Sequence, residues 1–225
     1  MLKIQTCVVT PMFQQNCRLI MDSETGKSVL VDPGGDVDSL IAFVEGSESE
    51  LIAIVLTHSH IDHCAAVAGF LREYGEVPLF GHEVEAEMRS GISKQAAMFT
   101  LDPNEYENCP EPTTYLEDGD TLEVGAYSAT SMFTPGHSPG HLAFFFEETD
   151  WNIDGQEGTS PVLIAGDALF NGSIGRTDLP GGDHAQLINS IKTKLLPLPE
   201  DTIVLPGHGP ETTIGKEARS NPFLV

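Results

Sequence analysis

Residues 51–70 read LIAIVLTHSHIDHCAAVAGF, and the break in the middle of this stretch decides the architecture. Leu51–Leu56 has the length and the Ile/Val content of a buried strand, and the Ala-rich segment after it reads as a helix. Between them, Thr57-His58-Ser59-His60-Ile61-Asp62-His63 sets three imidazoles and a carboxylate on a strand-to-helix turn. His58 and His60, two apart in extended chain, project to one side, while Asp62 and His63 open the helix and can face back toward them. Such donors suit zinc, iron or manganese better than an all-oxygen calcium site.

The same punctuation recurs three times further along. Pro135-Gly136-His137, Gly166-Asp167 and Pro206-Gly207-His208 each stand where an apolar strand-like run stops. If those strands lie in facing sheets that share a rim, His58, His60, Asp62, His63, His137, Asp167 and His208 can converge on one cleft. His82, His141 and His184 are expected to be structural, His82 as a cap and His141 as support for a ligand. Cys64 beside His63 reads as a small buried residue under the turn. The four cysteines show no C-x-x-C spacing, so neither a disulfide framework nor a cysteine zinc site is expected.

Elsewhere the pattern predicts an opening of strands, Ile4–Val9, Cys17–Met21 and Ser28–Val31, followed by a helix capped by Asp36 with Val37, Leu40, Ile41 and Val44 on its apolar face. Helix is expected over Ala65–Tyr74 and Glu83–Arg89, with a short strand at Val77–Phe80 between them. Residues 93–112 read as helix and loop bordering the cleft. Strands follow at Thr121–Val124, Tyr127–Thr134 and His141–Phe146, then a polar surface loop at Thr149–Pro161 and an apolar run at Val162–Ala165. A helix capped by Asp183 carries Leu187, Ile188, Ile191 and Leu195, and Thr212–Arg219 is expected to be helical.

At 225 residues the chain fits one domain over 1–225, large enough that no metal is needed merely to hold the fold together. A net charge of −23 makes nucleic acid and anionic membrane poor partners. The Met1-Leu2-Lys3-Ile4 start lacks the layout of a signal peptide and no apolar stretch is bilayer-long, so a cytoplasmic location is expected.

The series His58-x-His60-x-Asp62-His63, His137, Asp167, His208 resembles the ligand series of the metallo-β-lactamase superfamily. Within it, Gln15-Asn16-Cys17, Val31-Asp32-Pro33-Gly34-Gly35, Thr134–His141, Gly175-Arg176-Thr177-Asp178, Pro180–Asp183 and Asn221-Pro222-Phe223 are similar to short-form glyoxalase II, hydroxyacylglutathione hydrolase. The resemblance implies an α/β fold, a four-layer αβ/βα sandwich, without the separate C-terminal helical domain with which longer glyoxalase II enzymes grip glutathione. It implies two divalent metal ions, zinc first and iron or manganese as alternatives. His58, His60 and His137 would hold one, Asp62, His63 and His208 the other, and Asp167 would bridge them.

The implied reaction is hydrolysis of a thioester, S-lactoylglutathione foremost, with Asp62 orienting the attacking hydroxide and Arg176 binding the substrate's carboxylates. Arg176 could instead pair with Asp178 or Asp183 on the surface. A mononuclear iron persulfide dioxygenase and a lactonase are the alternatives within the fold, and a non-catalytic member would be marked by ligand loss, which this chain does not show. The expected partner is a small glutathione thioester, and the expected state a monomer or weak homodimer.

Overall fold

The structure, a computed structural model, describes the backbone of residues 1–225 and every side chain except that of Glu148. The chain opens with β1 (Leu2–Val9), β2 (Gln15–Asp22) and β3 (Lys27–Val31), then α1 (Val37–Gly46), β4 (Glu50–Val55), α2 (Ile61–Cys64), α3 (Val67–Tyr74) and β5 (Leu79–Gly81). A 3-10 turn leads into α4 (Ala86–Arg89) and α5 (Ile92–Met98), and then come β6 (Thr114–Tyr115), β7 (Thr121–Val124), β8 (Tyr127–Phe133), β9 (Leu142–Ile153) and β10 (Gln156–Gly166). The remainder is β11 (Leu169–Phe170), β12 (Ser173–Ile174), α6 (His184–Ser190), β13 (Ile203–Pro206), β14 (Thr212–Thr213) and α7 (Ile214–Ser220).

Strand order is β14-β13-β10-β9-β1-β2-β3-β4-β5-β6, with β8 branching from β9 and β7 pairing β8. The long β9 does the joining. Its first residues pair with β8, its last three run parallel to Leu2–Ile4 of β1, and β10 lies along nearly its whole length.

Alternation along the strands explains why two faces of each sheet are covered. Leu19, Leu30 and Ile54 face one way, where they meet Leu40 and Val44 of α1, Val67 and Phe70 of α3, and Ile92 of α5. Their neighbours Ile20, Val29, Val31 and Val55 face the other way and meet Leu122, Phe144, Phe146, Val162 and Ile164 from the second half of the chain. Leu163, between Val162 and Ile164, then points outward again to Leu187 of α6 and Ile214 of α7. Period-two side chains thus generate four layers, helices, sheet, sheet and helices, with the central apolar layer between the sheets. The parallel β3-β4 and β4-β5 pairs are joined through α1 and through α2–α3, the crossover that parallel neighbours require.

Ends of β4, β8, β10 and β13 supply the expected ligands, and backbone bonds stitch those ends together. Leu142 N donates to Thr57 O at 2.7 Å, Gly207 N to Gly166 O at 2.7 Å, and Asn16 N to Gly207 O at 2.8 Å.

Four expectations need correction. Thr149–Pro161 is not a loop: it forms the tip of the β9–β10 hairpin, turning at Asp154-Gly155 with φ of 47° and 89°. Asp-Gly is the signature of a two-residue turn with both φ positive, and the polar residues around it cover a ladder that Trp151 caps by hydrogen-bonding Ser160 Oγ at 3.1 Å. The expected helix Ala65–Tyr74 is split, α2 ending at Cys64 and α3 starting at Val67, because Ala66 N turns aside to donate to Pro33 O. The helix capped by Asp183 changes at Ile191 into one wide π turn closed by Leu196 N to Ile191 O. Thr212 and Thr213 pair with β13, so α7 begins only at Ile214, where Thr213 caps it. No helix of the described residues is long and apolar enough to cross a membrane.

Candidate metal centre

The 57–63 turn is pinned from four directions. Asp32, at the end of β3, accepts from Thr57 N and Thr57 Oγ1, each at 2.7 Å, and from His63 Nδ1 at 2.9 Å. Glu85, buried under the turn, accepts from Ser59 N at 2.8 Å and from Gly140 N at 2.6 Å, so one carboxylate ties the His58 turn to the His137 loop. Gln95 accepts from Ile61 N and donates to Ser59 O. Gly34 packs directly on the Asp62 carbonyl, a close approach that any Cβ would block.

These supports also fix the ring tautomers. The carbonyls of Arg176 and Phe13 can only accept, so Nδ1 of His137 (2.8 Å) and of His208 (3.0 Å) must donate to them. His63 Nδ1 donates to the Asp32 carboxylate. Thr57 Oγ1 gives its proton to Asp32 and is left to accept from His58 Nδ1 at 3.1 Å. Four imidazoles therefore turn Nε2 inward, the arrangement by which outer hydrogen bonds prepare metal-binding histidines.

His58 Nε2, His60 Nδ1 and His137 Nε2 meet at 2.8–3.1 Å. Three nitrogens in mutual contact cannot all be paired as donor and acceptor, because the lone pairs of His58 and His137 face one another. Beside them, Asp62, His63 and His208 form a second group, with His208 Nε2 3.1 Å from Asp62 Oδ2. Asp167 lies between the groups, its Oδ2 3.5 Å from His137 Nε2 and 3.4 Å from His208 Nε2. Its Oδ1 is buried with no hydrogen bond, His63 Nε2 standing 3.4 Å away, although buried carboxylate oxygens are seldom left so. A lone-pair cluster and an orphaned carboxylate oxygen both fit cations seated among them, and the mixed nitrogen and oxygen donors suit divalent transition metals.

Electrostatics divide the centre in two. Burial and the neighbouring imidazoles hold His58 well below the usual histidine range and His60 at about 3, so both stay neutral with lone pairs free. Burial also works against protonation of His63 and His208, but Asp167 and Asp62 overcome it, raising His63 well above its usual range and His208 to about 9. Burial would raise the Asp167 carboxyl, yet His63 and His208 pull it far down. The carboxylate half thus attracts positive charge while the imidazole half offers neutral nitrogen.

Structure brings all seven expected ligands together. His60, Asp62, His137, Asp167 and His208 open onto a cavity of about 280 Å³, roofed in part by Phe13 and Phe99, whose rings meet edge to face at 5.1 Å. Arg176 lines this cavity too, but its guanidinium forms a two-pronged pair with Asp178, both bonds at 2.7 Å. His82 caps the 3-10 turn by accepting from Val84 N. His141 accepts from Asp167 N at 3.0 Å while its other nitrogen meets Thr134 Oγ1, so it holds the Asp167 backbone in place. The sequence reading missed Asp32, Thr57, Glu85 and Gln95 as supports. A charged residue directly after the buried strand β3 was the available signal for Asp32; Glu85 and Gln95 give none in one dimension.

The sequence pattern of the Metallo-beta-lactamase superfamily matches residues 10–153 and 156–208, leaving out only the Asp154-Gly155 hairpin tip between them. Hydroxyacylglutathione hydrolase GloC of Haemophilus influenzae is 40% identical over 213 residues, which cover 94% of this chain and 93% of that protein. Among solved structures, BLEG-1 B3 metallo-beta-lactamase superposes with a TM-score of 0.84 at 36% identity over 99% of both chains. TTHA1623 in a di-iron-bound form gives 0.80 at 36% identity, over 97% of this chain and 99% of that one. Since the four-layer sandwich, the sequence pattern and relatives of nearly equal length agree, the chain belongs to the metallo-beta-lactamase superfamily.

Proposed function

We propose that this chain is a thioester hydrolase that uses two divalent metal ions, with S-lactoylglutathione as its foremost substrate. His58, His60 and His137 would hold one ion, Asp62, His63 and His208 the other, and Asp167 would reach both. Ions bound there would lower the pKa of water to about 7 and polarise the substrate carbonyl. Zinc, iron and manganese all suit these donors.

The observation that carries the choice of a thioester is the cavity's acid inventory. Arg176 aside, every titratable residue lining it is one of the seven proposed ligands. No side chain there is left to protonate a leaving amine. A thiolate, with a free pKa of about 8.5, departs without one. Asp62 opens both onto this cavity and onto the adjoining one, which supports the reading that its carboxylate accepts a hydrogen bond from the attacking water and orients it toward the acyl carbon. Asp32, through Thr57 and His63, holds the ligand rings in register while charge develops.

Similarity to a hydroxyacylglutathione hydrolase supports the glutathione thioester. Arg176 is proposed to flank the substrate, although a carboxylate reaching its guanidinium would have to displace Asp178. A cytoplasmic monomer or weak homodimer fits this reading. The test is turnover of S-lactoylglutathione beside uncharged thioesters, lactones and a β-lactam, with metals quantified in the same sample. Hydrolysis of the thioesters with about two ions per chain is expected. Full activity at one iron per chain, with oxygen consumed, would replace the hydrolase by a persulfide dioxygenase.

A further inference from the structure

The metal cavity continues into two side compartments of opposite character. On one side it shares Phe13 and Asp62 with a space of about 500 Å³ lined by Met12, Val37, Leu101 and Tyr106. The charged residues of that compartment are Asp36, Asp62 and Glu105, all acidic. On the other side it shares His60, Phe99 and Leu179 with an arm of about 330 Å³ along α4 and α5, lined by Val84, Met88, Met98 and Pro180 and bearing Lys94.

Lys94 is exposed, and among the described residues its ammonium has no carboxylate within 4 Å. Glu87, the one acid lining the arm, lies beyond that distance. Arg176, the other cation lining these spaces, is spent on Asp178. In a chain of net charge −23, an anion meets a repulsive background over most of the surface, and an unpaired lysine beside the metal cavity is a local positive group against it.

We infer that Lys94 is the specificity-determining cation of the cleft: it receives the carboxylate-bearing thiol arm of the thioester over His60, and leaves the acyl group the acidic, apolar compartment beside Asp62. This rests on the thioester reading given above. It assigns direction to the substrate, since an anionic arm is excluded from the side that carries Asp36 and Glu105. It also makes α5 the segment that selects the thiol.

The experiment compares metal-loaded wild type, Lys94→Ala, Lys94→Glu, Lys94→Arg and Arg176→Ala, with equal metal content verified. Their substrates are S-lactoylglutathione and S-lactoyl-N-acetylcysteamine, which share the acyl group and differ in thiol charge. For the glutathione thioester, KM should rise about fivefold in Lys94→Ala and about tenfold or more in Lys94→Glu, the scale of one solvated ion pair lost and then reversed. kcat should change less than twofold, Lys94→Arg should restore KM, and the uncharged thioester should be unaffected. Equal effects on both substrates, no effect, or a charge-selective loss confined to Arg176→Ala would overturn the assignment. Calorimetric binding of S-hexylglutathione separates this from the hydrolase reading. If neither thioester is cleaved but wild type binds this ligand more tightly than Lys94→Glu, the thioesterase reading falls and Lys94 stands. Equal binding, or none, overturns Lys94.

Discussion

On the floor of the cleft, four of the seven proposed ligands are held twice, whereas on the wall formed by residues 92–106 few side chains besides Gln95 are held from outside the wall. His58, His63, His137 and His208 each present one nitrogen inward and bind a fixed acceptor with the other. The wall, by contrast, packs through Phe99 against Phe13, with Met98 and, across the cleft, Met12 more than half exposed. On the proposed reading, chemistry that tolerates little misplacement sits on strand ends locked by buried hydrogen bonds, and substrate choice on an adaptable apolar surface. A floor mutation should therefore act on kcat and metal, and a wall mutation on KM.

The largest effect should come from Asp62→Ala, which removes a proposed ligand and the group proposed to orient the attacking water. A loss of at least about 10²-fold in kcat is expected. Metal content should fall below that of wild type, while the circular dichroism spectrum stays that of a folded chain. Activity within a few-fold of wild type would mean that the nucleophile is oriented by another residue.

One step out from the metal, Asp32→Asn keeps the shape but replaces an acceptor of three hydrogen bonds by a group that accepts on one side only. Because His58 and His63 both take their orientation from Asp32, the expected cost is about 10- to 100-fold in metal affinity or activity. Asp32 also stands at φ 54°, a left-handed conformation uncommon outside glycine, which the structure retains where this side chain must point. If Asp32→Asn binds metal as wild type does, the double fixing of the floor is not what tunes it.

How far the sequence foretold this contrast depends on distance along the chain. His58, His60, Asp62 and His63 were legible because a single turn contains them, and His137, Asp167 and His208 because each closes an apolar run. Glu85 was not, since it reads as one more acid on a short helix until folding brings Ser59 N and Gly140 N to it from 26 and 55 residues away. The β9–β10 hairpin was hidden by polar residues on its solvent side, where alternation is weak and only Asp154-Gly155 marked the turn. The wall of the cleft lies in segments with weak periodicity, and its lining is set by tertiary packing that no local pattern encodes.

A control for local rather than global rigidity is Asp22, far from the metal. Its carboxylate is fully covered by the turns around it. That covering would raise its pKa, yet the N–H groups of Ala126 and Glu24 and the Thr25 hydroxyl bring it down to about 2. A folded pKa below the unfolded value of about 3.9 means that this stabilisation is present above pH 4 and is lost as pH falls through 2. Asp22→Asn should thus melt about 2–4 °C below wild type at neutral pH, the effect of about 1 kcal/mol in a chain of this size. The difference should shrink toward pH 2, and kcat should be unchanged. A drop in kcat would show that the floor's order depends on remote clips.

Arg176→Ala should have the smallest effect, and its size decides which side of the cleft reads charge. Its guanidinium already holds Asp178 through two bonds, with both side chains more than half exposed. An exposed pair of this kind is worth roughly 0–1 kcal/mol, and a substrate carboxylate replacing Asp178 gains only the difference between two similar contacts. Arg176 also contributes its backbone carbonyl to His137 Nδ1, which alanine retains. The expected loss in kcat/KM for S-lactoylglutathione is therefore no more than about fivefold, expressed in KM, and smaller than that of Lys94→Glu. Removing Asp178 instead, as Asp178→Ala, frees the guanidinium and should lower KM for the anionic thioester while leaving the N-acetylcysteamine thioester unchanged. A tenfold or greater loss in Arg176→Ala, with Asp178→Ala neutral, would place the anion site on the loop after Asp167 and return the α5 wall to a purely apolar role.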